Sequence, residues 1–289
     1  MREGLVISLR YGVYVVKVDD QYISCSQRGT LKKEKRSPVV GDKVLVNLEE
    51  NVIENVEERK NILKRPSIAN LDQMFIVFSL KEPEFSYHLA FKYLTYANKY
   101  HIKTILILTK SDKDISISET KEIVDIFNKL NIDTYVVSNK TKDGLDRLAP
   151  LFKDKISCLV GQSGVGKSSL LNAIDSSFNR GEGEYSVSLG RGKHETKETI
   201  LLPYQNGYIA DTPGFSSLDL ELYKEDLAKY FPGFTSLYED CYFNDCLHIS
   251  EKHCRVKEEI EKGNIPQIAY QEYLKLSMEA VPYIKRYEV

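Results

Sequence analysis

The segment Ile156-Ser-Cys-Leu-Val-Gly-Gln-Ser-Gly-Val-Gly-Lys-Ser168 decides how this chain folds. Its first five residues form an apolar run typical of a buried strand, and the stretch Ser169 to Ile174 that follows has a helical pattern. Between them, GQSGVGKS fits G-x-x-x-x-G-K-[ST], a loop whose backbone N–H groups surround phosphates at the start of a helix. The segment therefore predicts a phosphate-binding loop between a strand and a helix.

This loop also predicts the residues that contact a nucleotide. In such loops the lysine reaches the β- and γ-phosphates, and the final hydroxyl binds Mg²⁺. A chance match is the alternative, and the flanking strand and helix argue against it. We predict phosphate contacts from Gly161, Gln162, Ser163, Gly164, Val165, Gly166, Lys167, Ser168 and Ser169, with Lys167 also contributing to catalysis and Ser168 to the Mg²⁺ site.

A second motif, Asp211-Thr-Pro-Gly214, follows the strand-like run Gly207 to Ala210. Alone it reads as an ordinary β-turn. Because it lies downstream of a phosphate loop, we expect Asp211 to hold Mg²⁺ through water. We also expect Gly214 to let the backbone approach the γ-phosphate.

The segment Thr109-Lys-Ser-Asp112 ends another apolar run and fits [NT]-K-x-D, a pattern that recognises guanine. Asp112 accepts hydrogen bonds from the guanine ring N–H and amine, and the Lys110 stem packs on the ring. Adenine would leave that carboxylate unpaired, which is costly. Thr109 replaces a more common Asn, so we expect one base or loop contact to be weaker. Ser138-Asn139 is the expected source of a backbone N–H for guanine O6.

The order of these motifs is unusual, because the base-reading motif precedes the phosphate loop. Strand-like runs at 74–79, 104–109 and 133–138 alternate with helical patterns at 85–100 and 118–130, which indicates a mostly parallel α/β sheet. The same sheet is obtained if a GTPase chain is cut and rejoined. We therefore predict a circularly permuted GTPase, with its Asp211-containing switch connected directly to the C-terminal region.

Short strand-like runs dominate the first 58 or so residues, and we predict five strands in a closed barrel of the oligonucleotide-binding (OB) type. A barrel used only for packing is the alternative. A basic loop separates the third and fourth strands, and such loops bind RNA phosphates, although a solvated turn would have the same composition. Its positive residues are Arg28, Lys32, Lys33, Lys35 and Arg36.

Three cysteines and a histidine lie close together in the C-terminal region, in an otherwise helical pattern. Three thiols and one imidazole suit a closed, tetrahedral, structural Zn²⁺ site. Unrelated buried cysteines are the alternative, and the neighbouring His253 competes with His248 as the fourth ligand. The predicted ligands are Cys241, Cys246, His248 and Cys254, binding one Zn²⁺ per chain.

Length and composition set the broad class. With 289 residues, 40 Lys+Arg against 42 Asp+Glu and no long apolar run, we expect a cytoplasmic protein of several domains without a membrane partner. The region 59–66 (RKNILKRP) has the composition of a linker. We place the barrel at 1–65, the GTPase domain at 66–220 and the zinc-binding helical domain at 221–289.

Taken together, these motifs resemble the ribosome small-subunit-dependent GTPase A family (RsgA, the YjeQ/YloQ-like permuted GTPases). The likeness covers nearly the whole chain: SPVVGD from Ser37, Arg65-Pro66, TKSD, GQSGVGKSS, RGKH, DTPGF and the Cys/His cluster. It implies a bacterial GTPase that acts late in small-subunit assembly, with an OB-like barrel, a permuted GTPase and a zinc domain. The family pattern also favours His248 over His253.

The resemblance assigns the first switch to Arg191-Gly-Lys-His-Glu-Thr196, where Glu195 stands in place of the usual threonine. Thr196 then binds Mg²⁺ and the γ-phosphate, with Thr199 as its rival. His194 orients the attacking water, because Phe215 follows Gly214 and cannot; the alternative is that His194 binds RNA or faces solvent.

We therefore expect a monomer that hydrolyses GTP to GDP with Mg²⁺ on the small ribosomal subunit and its rRNA. The alternative is an rRNA-binding assembly module for which GTP is a regulatory ligand with negligible turnover.

Overall fold

The computed structural model describes residues 1–64, 66–113, 115–179, 199–211, 218 and 220–281. Its N-terminal part is the predicted five-stranded barrel, in which strand β1 pairs with β2 and β4, and β3 pairs with β5, so that the sheet closes on itself. Alternate residues such as Val44 and Val46 are fully buried inside it. The strands are β1 (Arg2–Arg10), β2 (Val13–Val18), β3 (Gln21–Gln27), β4 (Lys43–Asn47) and β5 (Val52–Val56).

The basic segment between β3 and β4 contains a short helix, α1 (Gly29–Lys33), where the sequence indicated only a loop. Leu31 explains the helix, because its side chain is buried in the barrel core while Lys32 and Lys33, which follow it, face solvent. A single apolar residue among charges is too weak a periodic signal for a helix prediction.

The segment interpreted as a linker is partly a hairpin, so that interpretation is wrong for its second half. Strand β6 (Ile62–Lys64) pairs with β7 (Ser67–Ala69), and Leu63 and Ile68 are fully buried. In the first half, Arg59 makes a bidentate ion pair with the buried Asp42, at 2.7 and 2.8 Å. This connection is therefore anchored to the barrel by hydrogen bonds and by packing.

A six-stranded α/β sheet forms the centre, in the order β10-β9-β8-β11-β13-β12. All neighbouring pairs are parallel except β12–β13, which confirms the predicted mostly parallel sheet. The elements are β8 (Gln73–Ser79), α2 (Tyr87–Lys99), β9 (Lys103–Thr109), α3 (Ile117–Lys129), β10 (Asp133–Val136), β11 (Ile156–Val160), α4 (Lys167–Ile174), β12 (Ile200–Tyr204) and β13 (Gly207–Asp211), with 3₁₀ turns at Leu145–Arg147, Ala149–Phe152 and Ser176–Asn179.

Strands β8 and β11 are neighbours at the middle of this sheet although they are far apart in the chain. From β8 the chain continues outward to β9 and β10, while β13 and β12 lie on the other side of β11. A reversal of strand order of this kind opens a crevice at the carboxyl ends of the strands, where open α/β sheets bind ligands. The phosphate loop leaves β11 at this edge.

The barrel and the α/β sheet are joined edge to edge. Strand β1 pairs antiparallel with β12 through Ser8 and Ile200, which makes one continuous sheet of 11 strands. The register of β1 against β2 shifts between Val6 and Ser8, so β1 bends close to Ser8, the residue that pairs with β12.

The C-terminal part is helical, as predicted, and packs against helix α2. Phe91 on α2 stacks on Phe231 with ring centroids 5.2 Å apart, within a continuous core that reaches the sheet. Outside this core, His88 and Lys92 pair with Glu272 and Glu279. The helices are α5 (Leu227–Tyr230), α6 (Arg255–Glu261) and α7 (Gln267–Glu279), with 3₁₀ turns at Lys224–Asp226 and Tyr238–Asp240.

Among the residues that the structure describes, none of the helices combines the length and the apolar character needed to span a membrane.

Candidate nucleotide and metal sites

The phosphate loop has the backbone geometry that its glycines require. Gly161 has φ 146°, and a Cβ there would lie 2.2 Å from the Val77 carbonyl oxygen, so no other residue fits. Gly166, at φ 97°, directly precedes helix α4. Val165 and Leu170 are fully buried and anchor the loop and the helix to the sheet. The loop backbone is therefore held in one conformation by packing on the sheet, while the side facing away from the sheet stays open.

The polar side chains of the loop lie on that open side. Ser168 and Ser169, in the first turn of α4, are exposed, as are Ser163 and Gly164. The Lys167 ammonium folds back over the loop and donates to the carbonyl oxygens of Gly161 (2.6 Å) and Gln162 (2.8 Å).

Partial burial lowers the pKa of Lys167. An anion bound on the loop would therefore gain a cation that is already in place and partly removed from water.

The base-reading motif and the Ser138 loop meet beside the phosphate loop. The Ser138 hydroxyl donates to Asp112 Oδ1 at 2.6 Å, and this bond lowers the pKa of the Asp112 carboxyl. Asp112 is otherwise exposed, so its carboxylate is accessible from solution. Ser138 is buried and its N–H donates to the Asp143 carbonyl oxygen. Of the two residues predicted to supply an N–H for guanine O6, Asn139 is therefore the better placed.

Thr109 is fully buried and its hydroxyl lies 2.6 Å from the Val165 carbonyl oxygen of the phosphate loop. Threonine at this position thus reaches the phosphate loop despite lacking an amide. The side chain of Asn139 reaches the same loop, with Nδ2 3.1 Å from the Gly166 carbonyl oxygen. The two base-side segments are therefore both bonded to the phosphate loop.

One contributor to this crevice was missed from the sequence. Glu82, in the connection between β8 and α2, pairs through its carboxylate with Lys113 and through its carbonyl oxygen with Lys110. The Lys113 ammonium lowers the pKa of Glu82. This connection leaves the carboxyl end of β8, next to the phosphate loop, and that position was the available signal.

The Mg²⁺ and switch residues are only partly within the described residues. Asp211 ends β13, the strand that pairs with β11 beneath the phosphate loop. Thr199 directly precedes β12. His194, Thr196 and Gly214 lie outside the described residues, so their predicted roles stay predictions.

The Cys/His cluster has the dimensions of a tetrahedral metal site. The ligand atoms of Cys241, Cys246, His248 and Cys254 all lie within 4.8 Å of one another. His248 Nδ1 is 3.5, 3.5 and 3.4 Å from the three sulfurs, and the sulfurs of Cys241 and Cys254 are 3.9 Å apart. Ligands at zinc bond lengths and tetrahedral angles would be separated by about 3.6 Å (N to S) and about 3.8 Å (S to S). The donor set and its spacing fit Zn²⁺.

Burial shapes the chemistry of this cluster. It raises the pKa of Cys246 to about 12 and also raises the pKa of Cys254, so a bound cation is needed to keep these thiols as thiolates near neutral pH. His253 is exposed beside Tyr242, whereas His248 is buried among the sulfurs. The structure therefore groups His248, rather than His253, with the cysteines.

Hydrogen bonds to the backbone hold the ligand loop in position. The Glu251 carboxylate accepts from the N–H groups of Leu247, Ile249 and Ser250, and the Tyr273 hydroxyl donates to the Leu247 carbonyl oxygen at 2.9 Å. These bonds fix the backbone on both sides of His248. All four ligand positions come from side chains, so the site is closed and suited to a structural role.

Comparisons with known proteins agree with this architecture. The sequence profile of the RsgA GTPase matches residues 56–221, and that of the RsgA N-terminal domain matches residues 3–53. A protein from Shouchella clausii named small ribosomal subunit biogenesis GTPase RsgA is 40% identical over an alignment of 294 residues, covering 99% of this chain and 100% of that protein. A Staphylococcus epidermidis protein of the same name is 39% identical, covering 96% of this chain and 97% of its own.

Two solved structures are similar along nearly the whole chain. The crystal structure of YjeQ from Thermotoga maritima has a TM-score of 0.82 and 34% identity, and covers 96% of this chain and 98% of that one. The structure of YloQ, described as a circularly permuted GTPase, has a TM-score of 0.80 and 35% identity, and covers 96% of this chain and 94% of that one. The predicted permutation is thereby confirmed. The chain belongs to the RsgA GTPase family and is a circularly permuted GTP hydrolase.

Proposed function

We propose that this GTPase acts in the biogenesis of the small ribosomal subunit, binding the subunit and its rRNA and hydrolysing GTP there. The observation that carries the proposal is that a site suited to a guanine nucleotide and a barrel of the oligonucleotide-binding type share one continuous sheet. The relatives of this chain are named for this process. We further propose a monomer, a cytoplasmic location and domains at 1–65, 66–220 and 221–289, with the first boundary at the turn of the β6–β7 hairpin.

In the proposed nucleotide site, Asp112 reads guanine, Asn139 N–H binds its O6, and the Lys110 stem packs on the ring. The backbone of the phosphate loop and the Lys167 ammonium hold the phosphates. Mg²⁺, when bound, neutralises phosphate charge during transfer, and Ser168, Asp211 and Thr196 would hold it. His194 orients the attacking water through a hydrogen bond.

The barrel contributes the rRNA contact through its basic segment. Arg28 is tied to Glu50 and Glu54, and Arg36 donates to the Val56 carbonyl oxygen, so both arginines brace the barrel. Lys32, Lys33 and Lys35 are exposed, which leaves three cations for RNA phosphate. The Cys₃His site, occupied by Zn²⁺, would hold the C-terminal part in shape for the same partner.

The test is GTP hydrolysis by the full chain with and without small ribosomal subunits, with ATP in place of GTP as the control. We expect strong stimulation by subunits that is specific to GTP. Replacing Lys32, Lys33 and Lys35 by Glu should abolish stimulation and keep the basal rate. The same change at the exposed Lys121 and Lys129 on α3 should leave both the stimulation and the basal rate unchanged. Equal rates with and without subunits would contradict the proposal and favour GTP as a regulatory ligand.

A further inference from the structure

The number of hydrogen bonds that Thr109 can donate to the phosphate loop is limited. Its hydroxyl oxygen lies 2.6 Å from the Val165 carbonyl oxygen and 3.2 Å from the Phe78 carbonyl oxygen. A hydroxyl has one proton and donates to one of these acceptors at a time. Thr109 therefore provides at most one bond from the base-reading motif to the phosphate loop.

Asn139 provides a second bond, from the other base-side loop. Its Nδ2 donates to the carbonyl oxygen of Gly166, the residue that precedes Lys167 and helix α4. The contact is close, because a Cβ built on Gly166 would lie 3.1 Å from Nδ2. Turning the amide over would place its oxygen against a carbonyl oxygen, so the nitrogen must face Gly166.

The other end of this amide supports the same conclusion. Asn139 Oδ1 is buried, and no residue that the structure describes donates a hydrogen bond to it. An unpaired buried amide oxygen is unfavourable for folding. Stabilisation of the Ser138 loop therefore does not explain why an amide is present at position 139. The hydrogen bond that this side chain makes joins the Ser138 loop to the phosphate loop.

We propose that the Asn139 side chain is a positioning residue that couples the guanine site to the phosphate loop. It makes the bond that an amide at position 109 would otherwise supply. Its own N–H is the proposed donor to guanine O6, so a bound base holds the same residue that holds Gly166. The inference rests on the proposed nucleotide site.

The test compares binding of GDP and IDP to the full chain and to its Asn139→Ala variant, by competition with a fluorescent GDP analogue. IDP lacks the guanine amine, so the ratio of the two affinities reports on Asp112. We expect both nucleotides to bind about five- to tenfold more weakly, as for one lost hydrogen bond, with their ratio unchanged. Thermal unfolding of the nucleotide-free variant should match that of the wild type.

A changed GDP/IDP ratio would overturn the proposal, because it would place the effect of Asn139 on the base. An unchanged GDP affinity, or a loss that accompanies a lower unfolding temperature of the nucleotide-free protein, would overturn it as well. Wild-type protein that binds no GDP would instead contradict the proposed nucleotide site itself.

Two further variants test the identity of the bond. Asn139→Asp keeps the size but removes the donor, so it should bind GDP at least as weakly as Asn139→Ala; wild-type affinity in Asn139→Asp would overturn the proposal. Adding Thr109→Asn to Asn139→Ala returns an amide to the base-reading motif and should recover most of the lost affinity. No recovery in a double variant that unfolds at the wild-type temperature would also overturn it.

Discussion

The phosphate loop and the Cys/His cluster each bring several polar groups together within one connecting segment, but they differ in their exposure to solvent. At the phosphate loop, Ser168 and Asp112 are exposed, and the loop is held from below by Val165 and Leu170. At the cluster, Cys241, His248 and Cys254 are themselves buried. A ligand at the first site would therefore stay in contact with solution, whereas a cation at the second would be enclosed in the core.

This contrast predicts that the metal site contributes mainly to stability and the nucleotide site mainly to activity. Buried thiols and an imidazole need a cation, and losing it leaves a void and unpaired polar groups in the C-terminal core. Exposed phosphate and base ligands are already hydrated without nucleotide, so their replacement changes folding little. The predictions below test this division, from the largest expected effect to the smallest.

Replacing Cys254 by Ser should release the metal and lower the free energy of unfolding by about 3 kcal/mol or more, because a structural metal site adds its binding energy to folding. Metal content by elemental analysis and denaturant unfolding measure both effects. His253→Ala, one residue away but exposed, is the matched control and should keep the metal. Full metal content in Cys254→Ser would remove the contrast between the two sites.

Replacing Lys167 by Ala should slow GTP hydrolysis by about 10²-fold or more, because a charge that stabilises the transferring phosphoryl group is lost. The unfolding free energy should change little, which sharpens the comparison with Cys254. The exposed Lys129 on α3 supplies the control, Lys129→Ala. A large loss of stability in Lys167→Ala would show that the loop lysine has a structural role as well.

Replacing Asp112 by Asn should weaken GTP binding by about 10²-fold and favour XTP, since an amide both accepts from the xanthine ring N–H and donates to its 2-oxo group. Competition binding with the two nucleotides measures the change in preference. Asp125→Asn, on the exposed side of α3, should leave it unaltered. An unchanged preference for GTP would place base recognition elsewhere.

The smallest effect is expected at the surface pairs that join α2 to α7. The Lys92 ammonium, 2.8 Å away, lowers the pKa of Glu279. Glu279→Gln should cost about 0.5 kcal/mol at pH 7, the usual size for a partly exposed pair. A carboxylate whose pKa is lowered in the folded state stabilises the protein at pH values above the pKa of the unfolded chain, about 4.3 for Glu. The difference in unfolding free energy between variant and wild type should therefore vanish as the pH falls through the lowered pKa of Glu279.

Unfolding curves at pH 7 and in acid measure this difference, with Glu261→Gln, an exposed carboxylate at the end of α6, as the control. An effect as large as that of Cys254→Ser would mean that charge pairing, rather than the metal, secures the C-terminal part.

The sequence was most informative where chemistry needs particular residues at short spacing. GQSGVGKS, TKSD and the Cys/His spacing each lie within one turn or loop, so local order identified them. It was weaker for the hairpin around Leu63 and Ile68, because three-residue strands have too few alternations to stand out from a charged linker. Glu82 was missed because no motif marks it, and its contact with Lys110 spans 28 residues.

By itself, the sequence determined the order of the motifs, the strand and helix periods, and the kinds of atoms available for phosphate, guanine and metal. Only the tertiary structure decided which elements meet. It paired β1 with β12, grouped His248 with the three cysteines and brought the Asn139 amide to Gly166, 27 residues away. The physical reason is that periodicity specifies which face of an element is buried, whereas packing of the whole chain selects the partner that buries it.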